Sequence, residues 1–425
     1  MEGFRTVAHL VMIESWVGAS GNLLPPLLKS LGHTYVFVTR KLEHYQSPHS
    51  TETHPVIRHA EEVIVAETND TERLIEALRS RSFDGAITVC DYYIDTVVEV
   101  ARAFGIPCPF PNDVKAVRHK HLMREALDRA GVPNPNYRLA RSWEEAEDAA
   151  RSIGYPLVVK PVDLASSAFV RLVRNREELE IAYRQLDAFP LNFRDQARDC
   201  TVLLEEYMSG DEVSVESVSS NGATTVLGVT DKSVTGSPYF IENGHMFPAD
   251  LPGALREETE RLVRDALRAV EYDHGIAHTE VKLTPDGPRI VEINPRTAGN
   301  YIVELVKRAT DVDLLRAFVD LALGREPDLA AKETGVVSAA VLFLVPPQGG
   351  VIAALEGEAS LDRDPRIARY KLEDCVGKRV SAPIDNACYL GHVVAEDREG
   401  LRARAFAEEA LGRIALRFAE SEAVG

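Results

Sequence analysis

The most informative stretch of the sequence runs His278-Thr-Glu-Val-Lys-Leu-Thr-Pro-Asp-Gly-Pro-Arg-Ile-Val-Glu-Ile-Asn-Pro-Arg296. Apolar and polar residues alternate on both sides of Pro285-Asp286-Gly287, which is typical of two strands joined by a tight turn. With the turn centred on Asp286, the facing pairs are Glu280 and Glu292, His278 and Asn294, and Val281 and Val291. The sequence therefore predicts a β-hairpin with two carboxylates directly opposite each other.

One face of this hairpin is predicted to be polar, because successive side chains of a strand point to opposite sides of the sheet. Its members are Glu280, Glu292, Asn294, His278 and Lys282. The other face holds Val281, Leu283, Val291 and Ile293, with Arg289 as the exception. Facing carboxylates repel each other and require a compensating cation. Mg²⁺ prefers oxygen ligands, so Glu280, Glu292 and Asn294 are candidate metal ligands. A merely solvated hairpin is the alternative.

Strands and helices alternate between residues 6 and 110. The predicted strands are Thr6–Ile13, Thr34–Thr39, Glu62–Val65 and Ala86–Cys90. This order predicts a doubly wound parallel sheet covered by helices, a Rossmann-like N-terminal domain. Gly18 and Gly21 precede the first helix and either permit a tight turn or cradle a phosphate. Asp91 follows the fourth strand, where open sheets bind ligands, and is a candidate for holding a substrate ammonium group.

Residues that favour turns lead to two further predictions. Ser209-Gly210-Asp211 predicts a hairpin between a strand over Thr201–Tyr207 and another over Glu212–Ser219. Beyond Lys332, short strands separated by Gly and Pro precede a closing helix over Gly400–Phe418. The end of the chain is therefore expected to form a small α+β unit.

Composition narrows the classes of function. The chain has 425 residues, 45% of them hydrophobic, which is enough for two to four structural units. Its net charge of −18 disfavours nucleic acid and anionic membranes as partners. No apolar stretch reaches the roughly 20 residues that span a bilayer. The five cysteines form no CxxC motif, so a reduced, cytoplasmic setting is expected.

The run Glu280…Glu292-Ile-Asn294-Pro-Arg296 resembles the Mg²⁺-binding signature of ATP-grasp enzymes. Other stretches follow in the order that this family shows, closely over residues 112–325 and loosely before them. The chain looks most like the amino-acid ligase branch, which makes dipeptides and similar amides. The resemblance implies a pre-ATP-grasp α/β domain (1–111), an ATP-grasp lid (112–206), a core with the metal hairpin (207–330) and a C-terminal α+β domain (331–425).

Phosphate-binding elements of the family have counterparts in this sequence. Lys120 is similar to the lysine that meets the α-phosphate of ATP, and Lys160 to the one that meets the α- and β-phosphates. A lysine inside an apolar strand is costly to bury without a partner, and a phosphate is a suitable one. Ser166 and Ser167 occupy the place of the phosphate-covering loop, which here lacks the usual glycines. Solvated lysines are the alternative.

Glu205-Glu206-Tyr207-Met208 resembles the hinge between the two halves of the grasp. By that match, the Glu205 carboxylate accepts a hydrogen bond from the adenine amino group. The backbone of Glu206 and Met208 reads the adenine edge, and Glu212 accepts from the ribose hydroxyls. The alternative is an ordinary charged hairpin.

By the same resemblance one lysine is a further phosphate-binding candidate, and substrate contacts are expected from three residues besides Asp91. Lys232 is expected to approach the terminal phosphates, and His245 to form part of the amino-acid site. His278 lies on the polar face of the hairpin and is a substrate-contact candidate. Arg296 is expected to act with Lys160 in catalysis, by steadying an acyl phosphate and then an oxyanion. A histidine in a loop bounded by Gly and Pro is otherwise a surface residue.

The reaction that the resemblance implies is ATP-dependent ligation of a carboxylate to an amine, both small molecules, through an acyl phosphate. ADP and phosphate are the expected co-products, and ATP with Mg²⁺, or Mn²⁺ in its place, the expected cofactors. The family also implies a homodimer. Two alternatives stay open: a carboxylase or purine-pathway ligase that uses carboxyphosphate or phosphoribosylamine, and a non-catalytic, nucleotide-binding regulatory module.

Overall fold

The structure is a computed structural model that describes residues 7–18, 20–46, 52–165, 167–234, 241–383 and 388–419. Ser166, one of the predicted phosphate contacts, lies outside the described residues, as do residues 235–240 of the segment before His245. The described part of the chain forms four β-sheets. Three of them meet around the candidate site.

A parallel sheet forms the N-terminal unit, as predicted. Its strands are β1 (His9–Ile13), β2 (Thr34–Thr39), β3 (Glu62–Val65) and β4 (Gly85–Ile87), in the order β3-β2-β1-β4. The accompanying helices are α1 (Ser20–Ser30), α2 (Pro55–Arg58), α3 (Thr71–Leu78) and α4 (Ile94–Phe104). Most of β1 is buried, because a parallel sheet is covered on both faces. The carboxyl ends of β1 and β4 point toward the candidate site.

A separate antiparallel sheet forms the lid. Its strands are β5 (Tyr137–Ala140), β6 (Leu157–Pro161), β7 (Arg171–Val173) and β8 (Val202–Glu206), in the order β5-β8-β6-β7. Helices in this region are α5 (Lys115–Arg118), α6 (Lys120–Ala130), α7 (Trp143–Ile153) and α8 (Arg176–Asp187). Side chains of α7, α8 and the sheet share a hydrophobic core of their own. A core that is independent of the other sheets allows the lid to act as a unit.

The largest sheet has eight strands in the order β13-β12-β9-β10-β11-β14-β18-β16. They are β9 (Asp211–Ser220), β10 (Ala223–Val234), β11 (Glu242–Phe247), β12 (Gly275–Thr284), β13 (Gly287–Asn294), β14 (Ser338–Phe343), β16 (Ile367–Leu372) and β18 (Gly391–Asp397). Helices α9 (Gly253–Ala269), α10 (Ile302–Thr310) and α11 (Leu314–Ala322) pack against it. The longest of these, α9, has 17 residues. No helix in the described ranges is long and apolar enough to cross a membrane.

The register of the β12–β13 hairpin agrees with the prediction at the end that is farther from the turn. Glu280 pairs with Glu292, and His278 pairs with Asn294. The predicted pairing of Val281 with Val291 is wrong, because a bulge after Glu280 shifts the register by one residue and Val281 pairs with Ile290 instead. Val291 therefore faces the cavity rather than the apolar side, which Ile290 fills.

The predicted hairpin at Ser209-Gly210-Asp211 is also wrong. Strand β8 belongs to the lid sheet, and β9 belongs to the eight-stranded sheet. The turn residues produce a sharp turn, but β8 pairs with β5 and β6 rather than with β9. Residues 207–210 therefore carry the chain from one sheet to another.

The C-terminal unit is α+β, as expected, but it is not separated from the core. A three-stranded sheet combines β15 (Gly350–Glu356), β17 (Arg379–Val380) and β19 (Ala415–Phe418). Strands β14, β16 and β18 extend the eight-stranded sheet across the predicted boundary at 330/331, and the domain boundaries stay predictions. The predicted closing helix is too long: helix α12 (Ala403–Leu411) ends at Gly412, and the chain continues as β19.

Gly210 should be far less tolerant of substitution than the glycine of an ordinary turn. Its φ is +125°, and an added Cβ would lie 2.0 Å from the Leu283 carbonyl oxygen. Gly222 has a φ of +78° with nothing within 4 Å of an added Cβ, and it serves as the control. We expect Gly222→Ala to lower the free energy of unfolding by about 1–2 kcal/mol, the cost of the left-handed conformation. Gly210→Ala should cost roughly 1–3 kcal/mol more, because of the clash. Urea unfolding of both variants checks this, and equal losses would contradict it.

Candidate active site

A cavity of about 460 Å³ lies where the lid, the N-terminal sheet and the eight-stranded sheet meet. Fourteen of the predicted site residues line it: Asp91, Lys120, Lys160, Ser167, Glu205, Glu206, Met208, Glu212, Lys232, His278, Glu280, Glu292, Asn294 and Arg296. The structure thus gathers residues that are more than 200 positions apart in the chain. Their individual roles stay predictions.

The facing carboxylates of the hairpin each contact a lysine. Lys232 Nζ lies 3.1 Å from Glu280, and Lys120 Nζ lies 2.8 Å from Glu292. Lys120 also donates to the Leu164 carbonyl oxygen at 2.8 Å. The repulsion between the carboxylates is therefore offset by two cations that come from different elements.

The donor set on this wall fits a magnesium ion that arrives with phosphates. Glu280, Glu292 and Asn294 all face the cavity and offer carboxylate and amide oxygens. Within the described ranges, no group of three or more His, Cys, Asp and Glu side chains converges to hold a metal unaided. Mg²⁺ commonly takes one or two carboxylates and completes its coordination with water and substrate phosphates. The two glutamates match that arrangement.

Lys232 lies deepest in this charged group, with its side chain only 2% exposed. Its Nζ contacts Glu212 at 3.0 Å, Glu242 at 3.3 Å and Glu280 at 3.1 Å. Burial disfavours the charged amine, but the three carboxylates outweigh it and hold the pKa of Lys232 well above its usual range. The amine is therefore a permanent cation on the cavity wall.

His278 is held by a carboxylate that the sequence did not single out. Glu216 is fully buried on β9, and its two oxygens lie 3.0 and 3.1 Å from His278 Nδ1. Burial opposes protonation, but Glu216 and Glu280 raise the pKa of His278 to about 9. The available signal was a glutamate within the apolar strand Val213-Ser-Val-Glu-Ser-Val218, since such a charge requires a buried partner.

His245 lies on strand β11 behind the cavity wall and not in a surface loop. Its side chain is fully buried, and its Nε2 lies 3.3 Å from a Glu242 oxygen. Glu242 lines the cavity, whereas His245 does not. The structure thus places Glu242 and not His245 at the cavity, and contact of His245 with substrate stays a prediction. Glu242 itself was missed, although it lies only three residues before His245.

Arg124 organises the side of the cavity next to Glu205 and was also missed. Its side chain is 1% exposed, and its Nε donates to Glu205 at 2.7 Å. It also donates to the carbonyl oxygens of Ile290 and Val291 on β13, at 3.1 and 2.7 Å. The arginine therefore ties helix α6 and the lid strand β8 to the metal hairpin. Its position among Met123, Ala126 and Leu127 on the buried face of α6 was the available signal.

Glu205 also contacts Lys160, whose Nζ lies 2.5 Å from its second oxygen. Burial would raise the pKa of Glu205, but Arg124 and Lys160 outweigh it and lower that pKa to about 2. Both carboxylate oxygens therefore face a cation in this structure. Acceptance of a hydrogen bond from adenine stays a prediction.

Asp91 is occupied by protein groups on both oxygens. Arg296 Nε donates to one oxygen at 2.8 Å, and Trp16 Nε1 donates to the other at 2.8 Å. Burial opposes ionisation, but the charges of Arg296 and Arg118 and the indole N–H keep the pKa of Asp91 low. The structure therefore gives Asp91 the task of orienting Arg296, and its predicted contact with a substrate ammonium group has no support from this geometry.

Comparison with known families identifies two segments. Residues 153–304 match the ATP-grasp domain, and residues 342–419 match the L-amino acid ligase C-terminal domain 2. The first segment contains the hinge and the metal hairpin, and the second contains most of the C-terminal α+β unit.

Individual proteins resemble the chain over different lengths. Carnosine synthase 1 of Gallus gallus is 30% identical over 76% of this chain, which spans 37% of that protein. Alanine–anticapsin ligase of Bacillus amyloliquefaciens is 24% identical over 61% of this chain and 58% of its own length. The crystal structure of an L-amino acid ligase from Bacillus licheniformis superposes with a TM-score of 0.80 at 21% identity. It covers 97% of this chain and 99% of that one, so the two share a fold.

Removal of the Arg124 guanidinium should damage stability and not only the site. Arg124→Met leaves the buried Glu205 with one cation and two carbonyl oxygens without their donor. We expect a loss of about 3–5 kcal/mol in the free energy of unfolding. The matched control is Arg129→Met on the exposed side of the same helix, with an expected change within about 0.5 kcal/mol. Similar midpoints in urea would contradict the account.

Proposed function

We propose that this chain, which belongs to the ATP-grasp ligases that form carbon–nitrogen bonds, activates a carboxylate as an acyl phosphate and joins it to an amine. An amino acid is at least one of the two substrates. The match of residues 342–419 to the L-amino acid ligase C-terminal domain and the similarity to two amide-forming ligases support this substrate class.

One observation carries the proposal: two facing carboxylates, an amide and five lysine or arginine side chains share a single cavity. The carboxylates are Glu280 and Glu292, the amide is Asn294, and the cations are Lys120, Lys160, Lys232, Lys282 and Arg296. Phosphoryl transfer depends on charge neutralisation and alignment more than on covalent participation by the protein. The charged groups of this cavity are suited to neutralisation and alignment of phosphates, and three sheets enclose it.

Magnesium would be held by Glu280, Glu292 and Asn294, where it would neutralise negative charge on the phosphates of ATP. The protein's own cations serve the same purpose. Lys160 and Lys120 are the candidates for the nucleotide phosphates. Both contact carboxylates, and a phosphate oxygen would replace that anionic partner when nucleotide binds.

Arg296 is the candidate for the reacting carboxylate. Its Nε donates to Asp91 and one Nη donates to the Thr297 carbonyl oxygen at 3.1 Å, and the residue lines the cavity, so its other Nη is a candidate donor to the substrate. A fixed cation stabilises the acyl phosphate and then the oxyanion that forms when the amine attacks. The tetrahedral intermediate releases phosphate as the amide forms.

Two other functions fit the site less well. A carboxylase or purine-pathway ligase would share the nucleotide site, but the C-terminal match is to an amino-acid ligase domain. A non-catalytic module would not need facing carboxylates together with Arg296 held by a buried aspartate. Assembly as a homodimer, a cytoplasmic location and use of Mn²⁺ remain predictions.

The products distinguish the proposed chemistry from adenylation. We expect ADP and phosphate in equal amounts when ATP, Mg²⁺ and a matching pair of amino acids are present, because the acyl phosphate forms on the γ-phosphoryl group. Screening of amino-acid pairs for phosphate release, with mass spectrometry of the amide, provides the measurement. AMP and pyrophosphate as products, or a requirement for bicarbonate, would contradict the proposal.

Glu292→Gln should nearly abolish ligation while the fold is retained. The amide keeps the shape of the side chain but removes the charge that a divalent ion requires, so kcat should fall by at least about 100-fold. Glu260→Gln on helix α9, remote from the cavity, serves as the control. Circular dichroism establishes that both variants fold. Full activity of Glu292→Gln would refute the metal assignment.

A further inference from the structure

A segment of the lid reaches out of its own sheet and into the N-terminal unit. Residues 190–198, here termed the lid latch, connect α8 to β8. The latch folds on itself through a bridge between Leu191 and Ala197 and a backbone hydrogen bond from Asn192 to the Gln196 carbonyl oxygen at 2.8 Å. Its tip, at Arg194 and Asp195, contacts the carboxyl ends of β1 and β2.

Arg194 is the anchor of this latch. Its side chain is 5% exposed, although it lies on a connecting segment. One Nη donates to the Ser15 carbonyl oxygen at 2.6 Å, and the other lies 2.8 Å from His44 Nδ1. The guanidinium is also 3.8 Å from Glu14. A connecting segment that buries an arginine in a neighbouring unit has a specific docking position.

Glu14 explains why the docking position is electrostatically favoured. This carboxylate is fully buried and accepts from Tyr45 at 2.5 Å, Thr68 at 2.8 Å and the backbone N–H of Arg40 at 2.7 Å. Those donors are neutral and all belong to the N-terminal unit. The guanidinium that approaches it belongs to the lid, so the docked latch places a cation beside a buried anion.

Trp16 connects this anchor to the reacting end of the site. The Arg194 guanidinium lies 5.6 Å from the centre of the Trp16 ring. The indole N–H of Trp16 donates to Asp91, which in turn holds Arg296. Gly21 permits the close approach of the tryptophan loop to helix α1, because a Cβ at this position would lie 1.8 Å from the Trp16 carbonyl oxygen. A continuous set of contacts therefore runs from the lid to Arg296.

Two more lid contacts end on the same short turn, Asp91–Tyr93. Gln196 of the latch donates to the Tyr92 carbonyl oxygen at 3.1 Å, and the Ala165 N–H of the predicted phosphate loop is 3.4 Å from the Tyr92 hydroxyl oxygen. Tyr92 also packs edge-on against Trp16 at 5.6 Å. The turn that orients Arg296 is thus supported from the lid by two direct contacts and, through Trp16, by Arg194.

We propose that Arg194 is a positioning residue that couples closure of the lid to the orientation of Arg296. With the latch docked, Trp16 and Asp91 hold the guanidinium of Arg296 in place while the site is closed to water. With the latch undocked, Arg296 loses that support. The inference rests on the proposed function, since the acyl phosphate is what a closed lid protects.

Arg194→Ala and Trp16→Phe test the coupling, with Arg184→Ala as the matched control. Arg184 is an exposed arginine on α8 of the same lid, paired with Glu180. We expect kcat for amide formation to fall by about 10- to 100-fold in both variants, as misplacement of a catalytic group does. The amount of amide formed per ADP should fall as well, because water then competes for the acyl phosphate. Arg184→Ala should keep the wild-type ratio.

A purely structural arginine would behave differently. If Arg194→Ala lowers the unfolding midpoint but keeps the wild-type ratio of amide to ADP and the wild-type kcat, the coupling is refuted. Small-angle scattering with a non-hydrolysable ATP analogue and Mg²⁺ provides a test that is independent of turnover. Arg194→Ala should have a larger radius of gyration than wild type and Arg184→Ala. Equal radii of gyration would overturn the proposed role of the latch, even if no ligase activity is found. Absence of ligase activity alone would bear only on the proposed function.

Discussion

The β12–β13 register places Glu280 and Glu292 opposite each other, and the rest of the site depends on how the repulsion between these two carboxylates is offset. Facing carboxylates are unfavourable unless cations accompany them. In this structure Lys232 and Lys120 provide that compensation, and each lysine comes from a different element. The hairpin thereby gathers cations beside the cavity, and we propose that these cations hold the phosphates of a nucleotide. The remaining groups of the cavity are arranged around these two carboxylates and their lysine partners.

Buried ion pairs connect the three sheets that enclose the cavity. Arg124 and Lys160 meet at Glu205, on the lid strand β8, and Arg194 brings a charge from the lid to Glu14. Such pairs tolerate little misplacement, because a buried charge without its partner is strongly unfavourable. They therefore specify how the sheets assemble more than they add to stability. A ligase that must close over a hydrolysable intermediate requires that specificity.

Local patterns were enough to predict the parallel sheet and the pairing of Glu280 with Glu292, since strand alternation and turn residues act over short distances. The same patterns did not predict the bulge after Glu280 or the separation of β8 from β9, because tertiary pairing decides both. Arg124, Glu216 and Arg194 were missed for a related reason. Their partners lie 62 to 180 residues away, and a sequence shows only that such charges need a partner, not which one.

The central claim is that the paired glutamates hold a magnesium–nucleotide complex. A crystal structure with Mg²⁺ and a non-hydrolysable ATP analogue tests it most directly. We expect a metal ion within about 2.0–2.1 Å of oxygens of both Glu280 and Glu292, with Lys120 and Lys160 shifted from their carboxylates to the phosphates. A nucleotide bound outside this cavity, or a metal ion that contacts neither glutamate, would contradict it.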